Sequence, residues 1–315
     1  MTGKLATVFG GSGFIGRHLV RRLAADGWRL RIAVRDPDGA GFLRPMGDVG
    51  QIVPVKGDIA SDAQVERAVA GAQAVVNLVG ILYERGPRSF AAIHAEGAGR
   101  VARAAARAGA ERLVHLSAIG AAADSPAAYA RSKAAGETAV AAAFPRATIV
   151  RPSIVFGPED QFLNRFAAIA RVAPVLPVIG PETRFQPVYV GDVAEAIRRA
   201  LSDPHAPGRT YELGGPGIYT FRALMELMLR IIGRRRPVVA LPFGLASLQA
   251  AFLERLPVPP LTRDQVRLLQ RDNVVAPGAA TLADLGVQAQ PLEVVAPTYL
   301  ARFRKAGGLE RRQEA

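Results

Sequence analysis

Tyr129 and Lys133 stand four residues apart in the alanine-rich run Ala128-Tyr129-Ala130-Arg131-Ser132-Lys133-Ala134. In a helix that spacing puts both side chains on one face. An ammonium beside a phenol favours the phenolate, which predicts a lowered Tyr129 pKa. A phenol tuned in that way exchanges a proton with a hydroxyl or carbonyl, the work of a general acid or base. Ser117 ends the run Arg112-Leu113-Val114-His115-Leu116-Ser117 and supplies a further hydroxyl upstream. The plainer alternative is a tyrosine and a lysine on a solvated helix face. Cysteine is absent, and the histidines at 18, 94, 115 and 205 have no ligand spacing. Thiol nucleophiles, disulfides and metal catalysis are therefore not expected.

The elements that would position these groups begin at the N-terminus. The β-type run Leu5 to Phe9 ends at Gly10-Gly11-Ser12-Gly13-Phe14-Ile15-Gly16, and a helical pattern follows at Ile15, Leu19, Val20 and Leu23. Strand, glycine turn and helix is the geometry that takes a dinucleotide pyrophosphate. Gly10 permits the sharp turn, Gly13 lets backbone approach the phosphates, and Gly16 lets the helix pack close to the strand. The amides of the first helical turn, at Phe14, Ile15 and Gly16, face the anion. With 32 glycines in 315 residues the spacing alone is weak; its place between a strand and a helix gives it meaning.

Leu30 to Val34 reads as the second strand, ending at Arg35-Asp36-Pro37. The residue after this strand meets the adenosine ribose, where a carboxylate suits a free 2′-hydroxyl and an arginine suits a 2′-phosphate. Arg35, with Arg17 just past the last motif glycine, favours NADP(H), while Asp36 keeps NAD(H) admissible. Asp58, after the third strand, reaches an adenine amino group or else caps the helix starting near Asp62. The apolar run from Ala74 to Gly80 is a central parallel strand, with Asn77 and Gly80 near the end where ligands sit in such sheets. His94 to Ala108 reads as one helix with Arg100, Arg103 and Arg107 on a solvated face, and Thr148 to Gly157 as the sixth strand.

This alternation predicts an α/β fold, a Rossmann doubly wound parallel sheet with a smaller, discontinuous C-terminal domain. The expected dinucleotide domain is 1–157 and 187–214, with 185–190 returning to the same sheet. The expected small domain is 158–186 and 215–305, followed by a mobile polar tail at 306–315. Within the small domain, Leu245, Leu248, Phe252 and Leu256 form an apolar helix stripe after Arg234-Arg235-Arg236. A core helix is the first expectation; a segment against an anionic membrane surface or another subunit is the second. Its uninterrupted apolar length falls short of the roughly 20 residues a spanning helix needs. The net charge of +13, with lysine only at 4, 56, 133 and 305, favours an acidic partner. There is no aromatic-interleaved basic stripe, so nucleic acid is not expected. No signal or transit segment is read ahead of the first strand.

Gly10 to Gly16, Gly57-Asp58, Asn77-Leu78-Val79-Gly80, Tyr129-x-x-x-Lys133 and Arg151-Pro152 together resemble the extended and atypical short-chain dehydrogenase/reductases, over residues 1 to about 215. More narrowly, Asn77 to Tyr83, Tyr129 to Glu137 and Val150 to Asp160 are similar to the NAD(P)H-binding accessory subunits of respiratory complex I and their bacterial relatives. The resemblance implies Ser117, Tyr129 and Lys133 as the catalytic set and adds Ile59 and Pro152 to the cofactor contacts. It implies a subunit that holds NADPH beside complex I core subunits near the quinone site. Such a subunit is peripheral, on the cytoplasmic or inner face of the energy-coupling membrane, and serves assembly or stability rather than turnover. Active short-chain enzymes carry a serine or threonine slightly beyond Ser117, where this chain has Ala118 and Ile119. That departure weakens substrate polarisation and leaves Tyr129 and Lys133 to hold the nicotinamide ribose. The alternative is a free-standing reductase, epimerase or dehydratase, with a sugar nucleotide as an example of its substrate.

Overall fold

The computed structural model describes residues 3–304, so the expected tail at 306–315 lies outside the described residues. The chain begins with β1 (Leu5–Phe9), α1 (Phe14–Ala25), β2 (Arg29–Val34), β3 (Ile52–Lys56), α2 (Asp62–Val69) and β4 (Ala74–Asn77). It continues with α3 (Ala98–Arg107), β5 (Arg112–Leu116), α4 (Ala128–Ala143), β6 (Thr148–Pro152), β7 (Val155–Phe156), α5 (Leu163–Val172) and β8 (Leu176–Ile179). Next come β9 (Arg184–Phe185), β10 (Val188–Tyr189), α6 (Val190–Ser202), β11 (Thr210–Leu213), β12 (Tyr219–Thr220) and α7 (Phe221–Ile231). The last elements are β13 (Val238–Leu241), α8 (Phe243–Leu253), α9 (Arg263–Leu268) and α10 (Leu292–Leu300). The described residues form two compact units, one of 3–152, 190–213 and 276–288, the other of 153–189, 214–275 and 289–304.

The first unit is built on a seven-stranded sheet in the order β11-β6-β5-β4-β1-β2-β3. Every neighbouring pair in it is parallel. Helices cover such a sheet on both faces, so its strands are apolar on both sides rather than alternating. Val8, Phe9, Val75 and Val76 are accordingly removed from solvent, each contributing roughly 1.5–3 kcal/mol of hydrophobic burial. Helices α2, α3 and α4 pack Val65, Val101, Ala105 and Val140 onto one core with Phe9 and Val75. Strand order reverses between β1 and β4, and this switch point opens a crevice at their C-terminal ends.

Several local expectations change. The single helix read from His94 is instead a π-helical turn over Ala91–Gly97 that runs into α3. A wide turn of this kind displaces side chains from α-helical register and is common at functional sites. Arg103 and Arg107 lie on the expected solvated face, where Arg107 pairs with Glu66 of α2, while Arg100 is half-buried and pairs with Asp62. The strand read as 148–157 stops at Pro152, because the Ser153 hydroxyl and the Ile154 amide both donate to the Asn273 side chain. Residues 185–190 do not return to the main sheet. Instead β10 pairs with β7, and β9 with β12, in two-stranded ribbons of the second unit. Residues 276–288, expected in the small domain, belong to the first unit. The Ala276 amide donates to Glu212 of β11, and the Glu212 amide donates to the Ala280 carbonyl.

The second unit has its own core of Phe156, Leu163, Leu176, Phe185, Leu224, Met225, Met228 and Leu300. Asp160 accepts from the Phe162 and Asn164 amides at the start of α5, and from the Tyr299 hydroxyl. Helix α8 overturns the core-helix expectation. Ala246 and Ala250 are its buried face, packed with Val266, whereas Leu245, Leu248 and Phe252 are 48%, 58% and 62% exposed. The small residues point inward and the large ones outward, the reverse of what apolar patterning alone implies. Among the described residues no helix is long and apolar enough to cross a membrane.

Candidate functional site

The turn after β1 is a tight backbone cradle. Gly10 has φ near 78°, a left-handed conformation that favours glycine. A Cβ on Gly16 would lie 2.5 Å from the Gly10 carbonyl oxygen, so only glycine lets α1 press this close to the turn. Gly13 is exposed and occupies the helix N-cap without a capping side chain. The first turn of α1, with Phe14 and Ile15 half-buried, contains no acidic residue. Unoccupied amides and the positive end of the helix dipole make this a place for an anion.

At the end of β2, Arg35 is exposed and its carbonyl oxygen accepts from the Lys56 ammonium. Arg17 folds back over the glycine turn, donating to the Ser12 and Gly13 carbonyls, with its guanidinium 5.1 Å from the Phe42 ring centre. Asp36 is engaged locally, accepting from the Gly39 amide. Lys56 is the cation that the sequence reading did not single out here. Asp58 does not occupy the N-cap of α2, which is Ser61. Its carboxylate accepts from the Ala60 amide and pairs with Arg88 at 2.9 Å. Ile59 is buried beneath the π-helical turn, against Gly97.

The other end of the crevice gathers residues from β4, β5, the π-helical turn and α4. The Lys133 ammonium donates to the Leu116 carbonyl at the end of β5, 3.2 Å away. A Cβ on Gly80 would lie 3.4 Å from that ammonium. Tyr129 is held edge-on by Phe90 and His94, with ring centres 5.7 and 5.3 Å away. The Ile81 amide donates to His94 Nε2 at 2.9 Å, so the imidazole proton sits on Nδ1. That N–H donates to Ser132 Oγ at 2.9 Å, and the Ser132 hydroxyl donates to the Tyr129 carbonyl. Below them, Asn77 accepts from the Val79 amide and donates to His115 Nδ1. Pro152 is buried at the end of β6, its carbonyl accepting from the Ile119 amide. The Ser117 hydroxyl is buried, and among the described residues it has no hydrogen-bond partner.

Gly10, Asn77, Gly80, Ser117, Tyr129 and Lys133 thus share the C-terminal edge of one sheet. The expected lowering of the Tyr129 pKa is not found. Burial pushes the phenol up to about 12, with the Lys133 ammonium 5.8 Å from the ring centre and turned to the Leu116 carbonyl. Burial also takes Lys133 down to about 8, against the attraction of Glu137. Desolvation outweighs the tyrosine–lysine pairing in both groups. Burial, assisted by repulsion from Lys133, takes His94 and His115 down to about 3, so both are neutral near pH 7. His94, His115 and Ser132 were missed by motif reading. The one available signal was a histidine inside an alanine-rich helical run.

Residues 6–214 match the model of the NAD dependent epimerase/dehydratase family. The chain belongs to this family. The resemblance read from its motifs therefore holds, and the family is NAD(P)-binding. Within it, the chain is 38% identical to an Arabidopsis thaliana protein, "NADH dehydrogenase [ubiquinone] 1 alpha subcomplex subunit 9, mitochondrial", over 98% of this chain and 80% of that one. It is 34% identical to a Caulobacter vibrioides ceramide reductase, over 76% of this chain and 74% of that one. The fold is shared with a solved dTDP-glucose 4,6-dehydratase from Streptomyces venezuelae, at a TM-score of 0.71 and 20% identity, covering 96% of this chain and 98% of that one.

Proposed function

We propose that this chain is an NADP(H)-holding accessory subunit of a membrane-associated NADH:quinone oxidoreductase, with a role in assembly or stability. The observation that carries the reading is the extent of likeness to the Arabidopsis complex I subunit. It runs through both compact units, at 38% identity over 98% of the chain. Likeness to the ceramide reductase is lower and covers less of the chain. The partners are complex I core subunits near the quinone site, and the location is peripheral, on the cytoplasmic or matrix side of the membrane.

The cradle at Gly10, Gly13 and Gly16, which a Cβ at Gly16 would fill, suits a pyrophosphate. Phe14 and Ile15 supply amides to it. Arg35, Arg17 and Lys56 supply positive charge for a 2′-phosphate. Asp58 with Ile59 borders the adenine, and Asn77, Gly80 and Pro152 border the nicotinamide end. Tyr129 and Lys133 hold the ribose. When bound, the nucleotide supplies a hydride donor or acceptor. Retention is favoured over turnover because Ala118 and Ile119 provide no hydroxyl to polarise a substrate.

Native purification from the organism's own membranes tests the reading. The chain is expected to comigrate with complex I and to release NADP(H) on denaturation; a chain found only apart from the complex sinks it. The second reading, a free-standing reductase, epimerase or dehydratase, is favoured by the unpartnered Ser117 hydroxyl, one residue after the Leu116 carbonyl that takes the Lys133 ammonium. Tyr129→Phe separates the two. It should abolish turnover in an enzyme, yet leave nucleotide retention and assembly nearly intact in a subunit.

A further inference from the structure

Helix α8 is apolar nearly all round, with Ser247 and Gln249 its only polar side chains. Ala246 and Ala250 pack inward with Val266. Leu245, Leu248 and Phe252, spaced three and four residues apart, form an opposite face that stands in solvent, and exposed Leu256 and Val258 extend it beyond the helix. A helix that is apolar all round is ordinarily buried all round, so the exposed side of α8 is a candidate contact surface. The exposed set is aliphatic and phenyl, without the tyrosine and tryptophan that anchor most protein interfaces.

Ahead of this helix in the sequence, on the far side of β13, lies a surface cleft lined by Glu226, Arg230, Arg234, Arg235, Arg236 and Pro237. Arg234 and Arg236 donate to the main-chain carbonyls of Phe303, Arg171 and Ala170 rather than to carboxylates. Arg230 and Arg235 are exposed and make no ion pair with another described residue. Six residues separate Arg236 from Phe243, at most about 25 Å of extended chain. Flanking guanidiniums and exposed leucine and phenylalanine are together the chemistry of a segment that lies on an anionic bilayer.

We propose that α8 and the arginine cluster preceding it are a docking surface for an anionic lipid bilayer, with the apolar side chains entering the acyl boundary and the guanidiniums meeting headgroup phosphates. This deepens the peripheral membrane location proposed above and rests on it.

The test is sedimentation of the purified full chain, with NADPH bound, on vesicles of phosphatidylcholine alone or with cardiolipin. Binding is expected to be at least about tenfold stronger on the cardiolipin vesicles and to fall at high salt. L248S/F252S and R230Q/R235Q should each lose at least about tenfold while keeping NADPH affinity, and millimolar inorganic phosphate should not compete. Equal binding to both vesicles overturns the proposal, as do unaffected variants. Displacement by inorganic phosphate would mean a free-phosphate site instead. If no vesicles are bound but L248S/F252S is lost from complex I, a protein covers α8; the proposal then falls and the subunit reading stands. Vesicle binding by a chain that never comigrates with complex I has the opposite meaning. Should L248S/F252S fail to melt cooperatively, Phe252→Trp reads the same contact. Its emission should shift blue and be quenched by brominated anionic lipid, and unmoved emission overturns the proposal.

Discussion

His94 Nδ1 and Ser132 Oγ meet at 2.9 Å, joining the π-helical turn to the helix that carries Tyr129 and Lys133. Because the other imidazole nitrogen accepts from the Ile81 amide, one neutral side chain ties the end of β4 to α4. His94→Ala removes both bonds and leaves a buried gap. It should destabilise the nucleotide-free protein by about 2–4 kcal/mol, and NADPH affinity should fall with it. His94→Gln keeps one acceptor and one donor and should recover part of each loss. Chemical denaturation and nucleotide titration of the two variants check this; equal behaviour of Ala and Gln argues that the hydrogen bonds are unimportant.

The same histidine and His115 set an acid limit on stability. Both titrate near 6.5 when free and near 3 in the fold. Between those values the unfolded chain binds more protons, so stability falls as pH falls. Each histidine contributes at most about 1.4 kcal/mol per pH unit in that window. Lys133, ordinarily near 10.5 and here near 8, adds stability as pH rises from 8 to 10.5. Urea denaturation from pH 6.5 to 5 should therefore show a declining stability that is shallower in His94→Gln. A flat profile would contradict buried neutral histidines.

Two glycines should behave differently from each other. A Cβ on Gly136 would lie 2.0 Å from the His94 carbonyl oxygen, and on Gly16 2.5 Å from that of Gly10. Gly136→Ala forces α4 away from the π-helical turn and should cost about 1–3 kcal/mol or more, lowering Tm with or without nucleotide. Gly16→Ala should mainly open the cradle, abolishing NADPH retention. Thermal melts with and without NADPH discriminate the two.

The proposed function gives Arg35 a part in cofactor choice. Arg35→Glu should weaken NADPH by at least about tenfold, since hydrogen bonds to charged groups are worth about 1.5–3 kcal/mol. It should leave NADH unchanged or tighter. Parallel titrations with the two nucleotides read the ratio. If the variant keeps its NADPH preference, Arg17 and Lys56 carry the phosphate without Arg35.

Local spacing sufficed for the parts of this protein that are local. A strand, a glycine turn and a helix follow one another within Leu5–Ala25, and Tyr129 and Lys133 share a face because they are four residues apart. These relations depend on nearest neighbours in sequence, so periodicity reveals them, and the parallel α/β sheet follows from their alternation. Tertiary structure decided whatever depends on burial or on distant segments. His94 joins Ile81 and Ser132, Lys56 arrives beside Arg35 from the neighbouring strand, and Arg88 takes Asp58. Burial reversed the expected direction of the Tyr129 pKa, because desolvation is set by what surrounds a group and not by its sequence neighbour. For α8, a uniformly apolar stretch encodes no preferred face. Only packing chose to bury Ala246 and Ala250 and to leave Leu248 and Phe252 outside.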